Sequence, residues 1–234
     1  MTLSKFFRRH WHDVGLISAT IAGVYLAVAW DDLDFLQRIL ILNFVVVLLH
    51  QFEEYSWPGG FPAVANLVML SRPSTSRYFK PLNQLSSAVA NVAFAYVFYL
   101  LPVFFPGTVW LGLSTIIVGA VLQVIGHGIL VNYEIRSLYS PGVATAVFGW
   151  LPLGVVYVYY IQDRGLAGGR EWLVAMGYTI VAMTLIFYVI EQRIFGGEYP
   201  PYPFEQDELE RFHIAERLEA ARRTRDEKRH ASRP

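Results

Sequence analysis

Six apolar stretches, each about as long as a bilayer core is thick, decide what this chain can fold into. A membrane core takes about 20 apolar residues per helix, and each crossing helix must satisfy its own backbone hydrogen bonds. The stretches run over 14–30, 33–50, 85–105, 108–131, 142–161 and 172–190. The expectation is an all-α, polytopic transmembrane helix bundle of about six spans with a charged cytoplasmic C-terminal helix. Apolar residues form 54% of the 234-residue chain and charged residues only 16%, well short of a soluble protein's share. The charges are also unevenly placed, since residues 205–234 carry 16 of the 38. Three units follow: an interfacial segment over 1–13, a six-helix transmembrane domain over 14–195, and a charged tail over 196–234. No internal repeat of the transporter kind is visible.

Lysine and arginine set the orientation. Lys5, Arg8 and Arg9 precede the first span; Arg72, Arg77 and Lys80 lie between spans two and three; Arg136 lies between four and five; Arg193 and the tail follow six. The opposite side has Arg164 and Arg170, with Arg38 just inside span two. Both termini are therefore expected in the cytoplasm, in a plasma (inner) membrane. Ala27-Val28-Ala29 has the look of a signal-peptide cleavage site, but the apolar stretch is long for that role and no soluble body follows, so an uncleaved helix is expected. Net charge is zero and no basic run interleaves with aromatics, which excludes nucleic acid as a partner. Without cysteine there are no disulfides, thiolate metal sites, Fe–S clusters or thiol nucleophiles.

Ionisable groups at membrane depth are expensive and mark function. The densest set is His50-Gln51-Phe52-Glu53-Glu54, closing span two. On a helix Glu54 lies about 40° from His50, and Glu53 about 60° to the other side. One imidazole and two carboxylates are thus expected in one small volume. The inverted zincin pattern H-x-x-E-H binds zinc through its first and last residues and uses the glutamate between them as general base. Here glutamate replaces the second histidine, so His50 and Glu54 are candidate ligands and Glu53 the candidate catalytic base. A third ligand must come from elsewhere. His127, near the same end of span four, is the other histidine of the membrane body. The cofactor expected is one divalent metal, Zn²⁺ or alternatively Fe.

Other polar groups gather at that level. Asn132, Arg136, Tyr139 and Ser140 are candidates for holding the substrate's polar group, with Ser140 as N-cap and Pro141 as first residue of span five. Asn83 and Asn91 enter from the same side. The 51–82 connection is long for a bundle and contains Trp57-Pro58-Gly59-Gly60-Phe61-Pro62, the composition of a lid or re-entrant piece. Blander roles are expected elsewhere: a snorkelling Glu191, a Glu134–Arg136 loop ion pair, a solvated turn at Asp31, Asp32 and Asp34, and a solvated tail helix.

At these residues the chain resembles the family of multi-pass membrane proteins known by its H-x-x-E-E motif. The likeness rests on His50-Gln51-Phe52-Glu53-Glu54-Tyr55, Pro58-Gly59-Gly60-Phe61, Asn66, Gly126-His127, Arg136, Tyr139-Ser140-Pro141-Gly142 and Thr145, across about half the chain. It implies a multi-pass membrane protein and brings no chemistry with it. The residues themselves point to a metal-dependent membrane enzyme acting on a lipid-like substrate at the cytoplasmic leaflet, with hydrolysis favoured. Its partners are membrane lipid and the lipid-like small molecule; the oligomeric state is open. The alternatives are a metal-free isomerase or cyclase of an isoprenoid using Glu53 and Glu54 as acid and base, or a small proton-coupled transporter.

Overall fold

In the computed structural model, which describes residues 2–69, 82–196 and 201–231, the chain is helical and the described residues contain no strand. Six helices are long and apolar enough to cross a membrane: α1 (Leu3–Val28), α2 (Phe35–Tyr55), α4 (Gln84–Phe104), α5 (Val109–Ile135), α6 (Thr145–Asp163) and α7 (Gly169–Ile194). Between α2 and α4 lies a short helix, α3 (Phe61–Val64), prolonged by a π turn (Ala65–Met69). The tail forms α8 (Gln206–Glu210) and α9 (Ile214–Ala231). Arg72, Arg77 and Lys80 lie outside the described residues.

Local chemistry fixes several helix starts. Asp34 caps α2 through a 2.9 Å bond from the Gln37 amide, and Asn83 with Ser86 forms a reciprocal capping box on α4. The turn holding Asp31 and Asp32 is solvent-exposed, as its composition indicates. Residues 3–13 are continuous with the first span, exposed over 3–7 and buried at Trp11 and His12. They are the first turns of α1, and Trp11 and His12 lie beside the Tyr55 ring.

The bundle core runs along α2. One cluster sets Val47 and Leu48 among Phe94, Phe98, Tyr99 and Trp150. A second, toward the opposite end, joins Leu36 and Leu40 to Leu113, Tyr157 and Ala175. At that far end α5 packs on α7 through Val109–Ile116 and Gly169–Met183. Along Thr184–Ile194, however, α7 packs against α4, while α5 leans on α6. The two helices diverge, and a cleft opens toward the end of the bundle that carries both termini.

The tail is docked rather than solvated. Ile214 is fully buried against Ala63, Val64, Val131 and Ile135. Arg225 Nη2 donates to the Glu134 carboxylate at 2.9 Å and to its carbonyl at 2.6 Å. Glu134 therefore pairs with the tail instead of Arg136. Arg9 of α1 binds Glu205 and Asp207 at 2.6 and 2.9 Å. At the kink between α8 and α9, Arg211 donates to the Tyr55 carbonyl at 2.5 Å. Gly60, at φ +103°, lets the tail lie flat here, since a Cβ would meet the Arg211 carbonyl oxygen at 2.5 Å.

Candidate metal centre

The last turns of α2 present His50 and Glu54 on one face, and α5 presents His127 to the same point. All three are almost completely buried, at 2%, 3% and 1% exposure. Glu54 Oε1 lies 3.3 Å from His50 Nε2 and 3.2 Å from His127 Nε2. Candidate ligand atoms of the three residues all lie within 4.8 Å of one another. A tetrahedral ion with bonds of 2.0–2.2 Å separates its ligands by about 3.4 Å, so the two oxygen–nitrogen spacings suit a bound Zn²⁺. His50 Nε2 and His127 Nδ1 are buried with no hydrogen-bond partner among the described residues. An unpaired buried polar atom costs about 1–3 kcal/mol, and a cation on the His50 nitrogen removes that cost.

Glu53 does not share this volume. Its carboxylate turns to the start of α6 and accepts four bonds: from Tyr139 Oη at 2.8 Å, Ala144 N at 3.1 Å, Thr145 N at 2.9 Å and Thr145 Oγ1 at 2.6 Å. Neighbouring helical residues point about 100° apart, which is how adjacent glutamates enter different networks. The carboxylate caps α6 from another helix, an anion placed on the positive end of the helix dipole. Burial and the Glu53 carboxylate push the Tyr139 phenol well up, so it stays a donor.

The two networks meet at Thr145. Its hydroxyl donates to Glu53 and lies 2.8 Å from His50 Nδ1. With its one proton committed to the carboxylate, the hydroxyl accepts from Nδ1–H. That assigns the His50 tautomer and leaves the Nε2 lone pair facing Glu54. Metal-binding histidines are oriented by such a partner on the second ring nitrogen. Glu53 and Thr145 thus hold a candidate ligand in place. Gly142, at φ +97°, lies against both imidazoles; a Cβ there would meet His50 Cε1 at 2.7 Å and His127 Cε1 at 2.9 Å.

The other expected substrate residues are dispersed. Ser140 is fully buried and its hydroxyl donates to the His127 carbonyl at 3.2 Å rather than capping α6. Asn132 and Arg136 line a separate surface groove with Tyr133, Ser137, Leu138 and Arg225. Tyr139 belongs to the Glu53 network.

The cleft between α5 and α7 ends at the His50–Glu54–His127 cluster in a cavity of about 240 Å³. Its walls include Phe94, Leu122, Met183 and Phe187, with Gln51, Asn91 and Gln123 among the polar residues. Phe61 of α3 closes one side, its ring 5.5 Å from that of His127, so the long connection does cover the site. Glu191 of α7 also lines the cavity and is only 2% exposed. It does not snorkel. Glu191 continues the i, i+4 spacing of Met183 and Phe187, a sequence signal for this position that is blurred by the π-type turns of Thr184–Ile194.

Fold and site together define a polytopic helical protein with a buried histidine–carboxylate cluster at one end of its bundle. A family model described as "Protein of unknown function with HXXEE motif" matches residues 41–157, and the chain belongs to that family. The matched region contains His50, Glu53, Glu54, His127 and Thr145 but not Glu191 or the tail. Comparisons with curated proteins and with solved structures find no match.

Proposed function

We propose that this protein is a metal-dependent membrane enzyme that hydrolyses a lipid-like, amphiphilic substrate at the cytoplasmic leaflet. The observation that carries the reading is the convergence of His50 Nε2 and His127 Nε2 on one oxygen of Glu54, at 3.3 and 3.2 Å, on the wall of a mostly apolar cavity. Two nitrogens and one oxygen are the donor set of catalytic zinc, which keeps its fourth position for water. Iron accepts the same donors. Zinc in such a site activates water near neutral pH and polarises a carbonyl.

The cleft between α5 and α7 supports the substrate class proposed. Leu122, 42% exposed, stands at its edge, so an apolar chain enters from the bilayer while the polar group meets the cluster. The site end also carries Lys5, Arg8, Arg9, Arg136, Arg193 and the basic residues of the tail, against Arg38, Arg164 and Arg170 at the other end. By the positive-inside rule that end faces the cytoplasm of a plasma (inner) membrane. A metal-free mechanism with one proton shared by Glu53 and Glu54 draws no support from this arrangement, because the two carboxylates face different partners. Transport draws none from a polar cluster confined to one end.

The test is metal content by mass spectrometry on detergent-purified protein, beside His50→Ala, Glu54→Ala and His127→Ala. About one equivalent of zinc or iron in the parent and its loss in each variant is the expected result. Folded parent protein that takes up no metal when offered it refutes the reading.

A further inference from the structure

We propose that Glu191 is the acid–base residue of the metal centre, a catalytic role for a side chain outside the family-matched region. The proposal rests on the metal reading above. Four observations carry it. Glu191 is 98% buried, judged by its 2% exposure, yet it lines the same cavity as His50, Glu54 and His127. Among the described residues its carboxylate has neither a hydrogen-bond nor an ion-pair partner, whereas Glu54 faces two imidazoles and Glu53 accepts four bonds. It does not belong to the group of candidate ligands formed by His50, Glu54 and His127. The cavity that it shares with them is room for a reacting molecule. Finally, Glu191 comes from α7 whereas the candidate ligands come from α2 and α5, so the cavity they line together has ligands and carboxylate on different helices.

An uncompensated carboxylate in an apolar wall is costly, and such groups at membrane depth are kept for what they do. Glu53, next to the ligand Glu54 in sequence, cannot accept a proton without giving up bonds that hold α6. Glu191 can. For an acyl ester or amide carrying one apolar chain, a water oxygen adds to the acyl carbon and one water proton passes to the Glu191 carboxylate. The carbon–oxygen or carbon–nitrogen bond then breaks, and the leaving group takes that proton as alcohol or amine. The products are a fatty acid and the released head, the carboxylate is restored, and nothing is oxidised or reduced.

The test uses the full chain in detergent, loaded with Co²⁺ and probed with octanoyl hydroxamic acid. This amphiphile offers the metal two oxygens and offers a neighbouring base its N–OH proton. In Glu191→Gln, Co²⁺ affinity is expected to stay within about threefold of the parent, because Glu191 is not a ligand. Hydroxamate affinity is expected to fall about 10-fold to 100-fold with the loss of a charge-assisted bond. Glu191→Asp, which keeps a carboxylate one methylene shorter, should lose less. Hydroxamate binding in Glu191→Gln as tight as in the parent, or tighter, overturns the proposal. Loss of Co²⁺ from Glu191→Gln with retention of the fold also overturns it, since Glu191 is then a ligand. Failure of the parent to bind Co²⁺ is a different result, which refutes the metal centre itself.

Discussion

Replacing Thr145 with valine removes one hydroxyl and keeps the shape, and the structure says what that hydroxyl holds. It accepts from His50 Nδ1 at 2.8 Å and donates to Glu53 Oε2 at 2.6 Å. In Thr145→Val, Glu53 keeps three donors, from Tyr139 Oη, Ala144 N and the backbone amide at 145. The main loss therefore falls on His50, whose Nδ1–H is left buried without an acceptor. That costs about 1–3 kcal/mol of stability, read as a lower thermal midpoint of metal-free protein. The ring is also released to rotate or to change tautomer. Loss of such a partner weakens metal binding about 10-fold to 100-fold, or about 1.4–2.8 kcal/mol. Competition for Zn²⁺ against a chromogenic chelator in detergent measures it. Thr145→Ser restores the hydroxyl and should return affinity to within about threefold, which a shape effect alone would not do. Equal affinity in the parent, the valine and the serine variants would refute the relay.

Three further outcomes follow from the geometry. Gly142→Ala sets a methyl against both imidazoles and a residue with a side chain at φ +97°, so Zn²⁺ binding is lost and stability falls by at least about 1 kcal/mol; unchanged zinc stoichiometry counts against the site. Arg211→Ala removes the bond to the Tyr55 carbonyl, and amide exchange over 56–61 and 205–218 should quicken together while α4 to α7 are unaffected. Burial raises the Glu208 carboxyl above its ordinary 4.5, against bonds from the Glu205 amide and Gln84. The docked tail then holds this proton more tightly than the undocked one. Its contribution to docking is complete below 4.5 and is lost as pH rises through the raised value. Glu208→Gln should lose that fall, so protease sensitivity of the tail rises less from pH 5 to pH 8 than in the parent.

The six helices were legible because a bilayer imposes length and apolarity on each span, and both can be counted. Observed ends lie within a few residues of the expected ones, apart from α1, which begins at Leu3 because Trp11 and His12 find a buried place against Tyr55. His50, Glu54 and His127 were legible as a group from helical spacing and common depth. What spacing could not show was the direction of Glu53. Its partners at 139, 144 and 145 lie about ninety residues away, and no local pattern distinguishes a carboxylate that binds a metal from one that caps a distant helix. Glu191 was misread for a related reason. A residue near a helix end normally reaches water, but the divergence of α5 from α7 puts a cavity there instead. The tail's alternating charges described an exposed surface correctly for most residues and concealed the few, Ile214 and Leu218 among them, that anchor it.

The placement of Glu53 also bears on how the protein is made. Span two leaves the ribosome with a carboxylate whose partners are encoded 86 to 92 residues later. At 5–20 residues per second that interval is about 5–18 s. Throughout it Glu53 has none of these four bonds, and the last turns of α2 lack their partner at the start of α6. Arrival of span five ends the wait and, through Thr145, orients His50 in the same event. A chain truncated after span four thus carries an unsealed carboxylate and an unset imidazole together, so the sealing of Glu53 and the setting of the His50 ring are a single step in biogenesis.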